Sequence, residues 1–244
     1  VELDSRDRAS LDAFAEELRR LHGPGLVAAL LTGEAASAAY VPGRTPLSTA
    51  VVLQQVTPEA LRRTRPRLRG WGRRRIPAPL FLDPLYIESA LDVFPLEFLE
   101  LMDHHRLLSG ERDPLSGLAI ERDKMRIEVE EQLRGKLLHL WEVYLEAGGS
   151  RQRLRRLLLE TPPGFSMILR GLLYLETQDV AARPDAPAEI LRAVEERFSV
   201  ELPVLRRLEA LHRGEGLLAR GELDEVFEGY LDEVRRLVRI TDGR

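Results

Sequence analysis

Apolar positions recur along this chain with two different periods, and the change from one to the other divides it. In the first half, Leu11, Phe14, Leu18 and Leu21 fall at helical spacing behind Asp4 or Ser5, either of which can cap a helix running to about His22 before the Gly23-Pro24-Gly25 stop. Leu26 to Thr32 and Thr49 to Val56 are short continuous apolar runs, the pattern of neighbouring strands buried on both faces. Thr57-Pro58-Glu59 supplies a hydroxyl cap, a proline for the first helical position and an acid for the first turn, so a helix is expected from there to about Gly70. Ile76 to Leu82 reads as a strand, Asp83-Pro84 opens a short helix, and Phe94 to Leu101 alternates as a further strand. This order predicts an α/β (α+β) domain built on a mixed sheet.

From about Leu118 the strand-like runs stop and long amphipathic stretches take over: Ile120 to Ala147, Ser150 to Leu175, Pro187 to Phe198, Leu202 to His212 and Glu222 to Ile240. The breaks at Gly148-Gly149, Pro162-Pro163-Gly164, Arg183-Pro184 and Gly214 to Gly216 are short, as between antiparallel helices of a bundle. The turn-rich segment Ser109 to Gly117 marks the boundary, giving a mixed domain over 1–112 and an all-α helical bundle over 113–244.

Composition narrows the function classes. A net charge of -4 over 244 residues argues against a globally basic nucleic-acid binder and leaves room for a local patch. Without cysteine there is no disulfide, thiolate nucleophile or Cys-ligated zinc, which suits a reducing compartment, with the cytoplasm as the default expectation. No apolar run reaches the roughly 20 residues that span a bilayer, and the charged start from Val1 to Arg8 is unlike a secretory signal.

The segment joining the first two strands carries the candidate chemistry. It reads Leu31-Thr32-Gly33-Glu34-Ala35-Ala36-Ser37-Ala38-Ala39-Tyr40-Val41-Pro42-Gly43-Arg44-Thr45-Pro46-Leu47-Ser48, followed by the apolar run from Thr49. This resembles the signature loop of the DNA polymerase beta-like nucleotidyltransferases, in particular their minimal and kanamycin nucleotidyltransferase-like members. That family places Gly-Ser after the first strand and an Asp-x-Asp pair at the opening of the second, often with Pro-Gly-Arg just before the pair.

The resemblance implies a nucleotidyltransferase fold with a helical domain behind it, in a degenerate member. In the family, carboxylates at i and i+2 of a strand face the same side and hold magnesium against the phosphates of a nucleoside triphosphate. Here those positions are Pro46 and Ser48, and no Asp or Glu occurs from Ala35 through Pro58. Loss of the metal should cost on the order of a thousandfold in rate or more. The phosphate-holding half retains Gly33, with Ser37 and Arg44 as weak nucleotide-binding candidates, but Glu34 stands at the family's serine. The family's third carboxylate would fall to Glu97, Glu100 or Asp103, which read more simply as a solvated strand face or end.

Other constellations carry less. Arg62 to Arg75 holds eight arginines, no acid and Trp71; Arg67, Arg69, Arg73, Arg74 and Arg75 suit phosphates or an acidic partner, and Trp71 could stack on a base. Against this stands a solvated helix face. His104 and His105 beside Asp103 invite a metal reading, but neighbours on a strand point to opposite faces. Arg134 to His139 and Arg207 to His212 resemble the ribonuclease motif of small helical nuclease domains, although five residues place side chains about 140° apart on a helix. The stripes through Leu137, Leu138, Trp141, Tyr144 and Leu145 and through Phe165, Ile168, Leu169, Leu172 and Leu173 read as bundle core, or as a partner face wherever exposed.

The expectation is therefore a nucleotidyltransferase-fold protein without transferase activity, acting as a binding or scaffolding pseudoenzyme, with a protein partner or a homo-oligomer and no membrane. No cofactor is expected. Two alternatives stand: an active nucleotidyltransferase with an altered metal site, using magnesium and a nucleoside triphosphate, and an RNA-binding or RNase-type module built on Arg62 to Arg75.

Overall fold

A computed structural model describes residues 2–160, 163–177 and 184–242. The chain divides between Ile120 and Glu121 into two compact units. Among the described residues no helix is long and apolar enough to cross a membrane.

In the first unit, α1 (Ser5–His22) begins where the Asp4 carboxylate accepts from the Asp7 N–H at 2.7 Å, and it ends where Gly23 turns at φ 52. Its apolar stripe, Leu11, Phe14 and Leu18, is buried and faces the sheet. β1 (Leu26–Thr32) and β2 (Thr49–Leu53) pair antiparallel with Leu31 opposite Thr49, and every residue of β2 is buried. Two short helices follow, α2 (Pro58–Thr64) and α3 (Leu68–Arg73), joined by a 3-10 turn over Arg65–Arg67. Pro66 sits in that turn; it has no N–H for an α-helical bond, so the helix expected to run unbroken to Gly70 changes winding there.

β3 is only Leu80–Leu82, parallel to β2. The strand expected from Ile76 is shortened because Pro77 and Pro79 remove two ladder donors. Asp83 caps α4 (Pro84–Ala90), accepting from the Tyr86 N–H at 2.9 Å.

The strand expected over Phe94 to Leu101 is a helix, α5 (Pro95–Asp103). Proline at the first helical position favours that start, and buried Leu96 and Leu99 fit period 3.6 as well as their neighbours fit alternation. The last strand comes later, as β4 (His105–Ser109), antiparallel to β1. It lies on the sheet edge with Arg106 and Leu107 exposed, so no buried apolar run announces it. The sheet order is β3-β2-β1-β4.

The second unit is helical: α6 (Arg122–Ala147), α7 (Arg151–Glu160), α8 (Pro163–Glu176), α9 (Pro187–Phe198), α10 (Pro203–His212) and α11 (Leu223–Asp242). α6 packs against α7, α8 and α11, and α10 against α7, α9 and α11. Leu133 and Leu140 of α6, Ile168, Leu169 and Leu172 of α8, and Tyr230 and Val234 of α11 form its core. Glu233 of α11 is 1% exposed and accepts from the Val204 and Leu205 N–H groups, both at 2.7 Å. A carboxylate from one helix thus satisfies the first orphan donors of another.

Candidate functional site

The C-terminal end of β1 is where the signature loop departs, and its neighbours are the entries to β2 and β4. The Thr32 N–H donates to the Ser48 carbonyl at 2.9 Å, and the Gly33 N–H donates to the His104 carbonyl at 3.0 Å. Gly33, at φ 65, turns the chain into a 3-10 turn over Gly33–Ala36. The structure therefore gathers Gly33, Ser48 and His104 at one end of the sheet, with Glu100 one helical turn before His104.

The loop beyond Gly33 is tied to its own unit. The buried Ser37 hydroxyl donates to the Glu34 carbonyl and accepts from the Ala39 N–H, each at 3.1 Å, so it closes its own turn. The Arg44 and Thr45 N–H groups both return to the Val41 carbonyl, at 3.1 and 3.0 Å, which shapes the Pro42-Gly43-Arg44 turn and leaves the Arg44 side chain exposed. Arg75, held at φ 62, donates through Nη1 to the Thr45 carbonyl at 2.8 Å, and its own carbonyl accepts from the Leu47 N–H at 2.8 Å.

The Arg75 guanidinium also pairs with Asp7 of α1, whose second carboxylate oxygen accepts from the Tyr40 hydroxyl at 2.7 Å. Asp7 is 1% exposed. Burial alone would raise its carboxyl, but hydrogen bonds from Arg75 and Tyr40 outweigh that and hold it below the ordinary aspartate range. One buried anion thereby fastens the middle of the loop to α1 and to the end of the arginine segment. Asp7 was missed from the sequence, although a signal existed: it lies on the same helical stripe as Leu11, Phe14 and Leu18.

The positions at which the resembled family holds magnesium do not fit that ion here. Pro46 is exposed and Ser48 part-buried just ahead of β2, and neither carries a carboxylate. None of the strands β1, β2, β3 and β4 contains an Asp or a Glu. Glu97 and Glu100 lie on α5 and not on a strand; Glu97 is exposed in its first turn, and Glu100 Oε1 is 2.7 Å from His104 Nδ1. Glu34 is exposed on the 3-10 turn.

His104 and His105 part company, since His105 Nε2 is 2.7 Å from Asp113. Burial works against ionisation of Asp113, but the His105 contact and the Leu115 N–H prevail and lower its carboxyl. Among the described residues no three His, Asp or Glu side chains converge to hold a metal ion. Hard divalent cations need several oxygen ligands, and near this end of the sheet Glu34 is exposed on its turn and Glu100 is engaged by His104, without a third carboxylate converging on them among the described residues.

The arginine segment splits into an internal part and an exposed part. Trp71 is 0% exposed, packs edge-on to Phe14 at 4.8 Å and donates Nε1–H to Glu17 at 2.9 Å, so it offers no face to a base. Arg74 pairs with the same Glu17 at 2.7 Å. Burial opposes the Glu17 charge, yet these two donors hold its carboxyl below the usual range. Arg62, Arg65, Arg67, Arg69 and Arg73 remain exposed on α2, α3 and the turn between them. In the helical unit, Arg134 pairs with Glu130 at 2.9 Å and Arg207 with Glu222 at 2.6 Å, while His212 Nδ1 is 3.3 Å from the Leu159 carbonyl. Each of these arginines thus has an acid partner.

No model of a known protein family matches the chain, and no curated protein sequence matches it. Among solved structures the chain is similar to the crystal structure of spectinomycin adenyltransferase AAD(9) from Enterococcus faecialis with ATP and spectinomycin. The TM-score is 0.54 at 9% sequence identity, over 95% of this chain and 100% of that one. The chain thus has a nucleotidyltransferase-like fold, a mixed four-stranded sheet with helices followed by further helices, consistent with the loop resemblance.

Proposed function

We propose that this chain is a nucleotidyltransferase-fold protein without nucleotidyl-transfer activity, used as a binding scaffold. The observation that carries the reading is the carboxylate-free sheet: the fold presents the entry to β2 beside the end of β1, and Pro46 and Ser48 stand where a metal-binding pair would be. Two further features support it. The exposed Glu34 brings negative charge to the turn where phosphate would be received, and the Asp7, Tyr40 and Arg75 network ties the loop to its own unit. Magnesium does not fit this donor set, so no step of a transfer reaction runs through it.

The experiment is to incubate the full chain with α-labelled ATP, magnesium and spectinomycin, the molecules named with the structural neighbour, and then with the other nucleoside triphosphates. The expected result is no transfer to spectinomycin or to the protein itself. Metal-dependent transfer lost in Glu100→Gln would establish the altered-site enzyme instead.

A second reading rests on the exposed arginines of α2 and α3, which form a cationic surface suited to phosphates. RNA bound there would be held through its backbone, because Trp71 is buried and cannot stack.

A further inference from the structure

The helical unit contains a cleft of about 560 Å³ between α6 and α7, with Tyr230 of α11 also in its lining. Its volume lies in the range that accepts a small organic ligand, on the order of 300–1,000 Å³. The walls are apolar where Leu140, Val143 and Leu157 face it. Its charged groups are three cations, Lys136, Arg153 and Arg156, against two acids, Glu146 and Glu160, and Arg156 is paired with Glu160 at 2.8 Å.

Lys136 is the informative member. This chain has 36 Lys and Arg residues, and only Lys124 and Lys136 are lysines. Several arginines on these helices find an acid four residues away, as Arg126 and Arg134 find Glu130 and Arg156 finds Glu160. Lys136 has Gln132 and Leu140 at those positions. It is part-buried, and among the described residues its ammonium meets the Phe165 ring, 5.7 Å from the centroid, and no carboxylate. Burial pushes its pKa below the ordinary lysine value, with no acid opposing the shift. An unpaired ammonium beside an apolar wall is a desolvation cost that a bound anion would offset.

We propose that the cleft between α6 and α7 binds a small amphipathic anion, an apolar or aromatic body bearing a carboxylate or phosphate, with Lys136 receiving the anionic head. The cleft lies wholly within the helical unit, so this site is independent of the loop of the first unit and stands whether or not that loop has lost its chemistry. Arg153 in the lining adds a further cation, although its Nη1 already donates to the Glu146 carbonyl at 3.0 Å. A lone inorganic anion would leave the apolar wall wet, and a neutral apolar ligand would leave Lys136 unpaired. The amphipathic anion satisfies both.

The test is fluorescence titration of the full chain with 8-anilinonaphthalene-1-sulfonate as probe, competed by decanoate and by inorganic phosphate. One saturable site per chain is expected, displaced by decanoate and not by phosphate at the same concentration. Lys136→Met keeps the stem and removes the charge; a charge-assisted contact of about 1.5–3 kcal/mol predicts at least about tenfold weaker binding. Val143→Trp, which fills the cleft, should abolish the site, with thermal melts confirming that both variants fold. Absence of saturable binding, displacement by phosphate alone, or equal affinity in Lys136→Met would each overturn the proposal.

Discussion

Replacing Asp7 by alanine tests whether one buried anion fastens the signature loop. In the native chain Asp7 is 1% exposed and receives the Arg75 guanidinium and the Tyr40 hydroxyl. Truncation leaves the tyrosine hydroxyl without its acceptor, at about 1 kcal/mol, and leaves Arg75 unpaired. Breaking a fully buried pair costs about 3–5 kcal/mol. The Arg75 side chain keeps 29% of its exposure, so water recovers part of that. With water and the Thr45 carbonyl still serving the guanidinium, the share of the pair falls to about 1–2 kcal/mol, and the sum of about 2–3 kcal/mol lowers the melting temperature of a unit of this size by about 6–15 °C. Urea unfolding followed by circular dichroism measures it, with a lower midpoint and an unchanged slope expected.

The same residue predicts a pH signature. Its native carboxyl lies below the unfolded value of about 3.9, so between the two values the unfolded chain binds more protons and stability rises with pH. That contribution is complete above the unfolded value and is lost as pH falls through the native one. Asp7→Asn should therefore flatten the acid limb, while Glu17 and Asp113, shifted in the same direction, keep part of it. A loss below about 0.5 kcal/mol in Asp7→Ala, the range of ordinary surface changes, would refute the fastening role.

Three further predictions follow from single contacts. Glu233→Ala strands two N–H groups at the start of α10, that of buried Leu205 and that of part-buried Val204, and should cost about 2–4 kcal/mol by differential scanning calorimetry. Gly110→Ala forces a side chain onto φ 132 with its Cβ 2.7 Å from the Val27 carbonyl, and should cost at least about 2 kcal/mol in the same assay. The triple change Arg67→Ala, Arg69→Ala and Arg73→Ala should leave the melting temperature unchanged; if RNA binds this face, the slope of log affinity against log salt should fall by about two.

Much of the fold was legible because it rests on uninterrupted periodic signals. Asp4 and the stripe through Leu11, Phe14 and Leu18 define α1, and the apolar runs from Leu26 and Thr49 define the two central strands. The misreading came at the sheet edge. β4 has an exposed Leu107 and a charged Arg106, so edge pairing left no hydrophobic mark, while Pro95-Leu96-Glu97-Phe98-Leu99 fits both periods over too short a span to decide. At the site, the absence of carboxylates at positions 46 and 48 is plain in the residue types. What holds the loop instead was hidden, because Asp7 finds Tyr40 and Arg75 at separations of 33 and 68 residues. Trp71 illustrates the same limit: its neighbours are eight arginines in sequence and Phe14 and Glu17 in space.

The proposed absence of metal-dependent nucleotide chemistry is tested most directly by calorimetric titration of the purified chain with ATP, GTP, CTP and UTP, each with and without magnesium. The predicted result is that magnesium makes no difference, with no heat of binding in the micromolar range for any of the four. Micromolar binding that appears only with magnesium would contradict the claim, and would mean that Glu34, Glu97 or Glu100 has rebuilt a metal site at the end of the sheet.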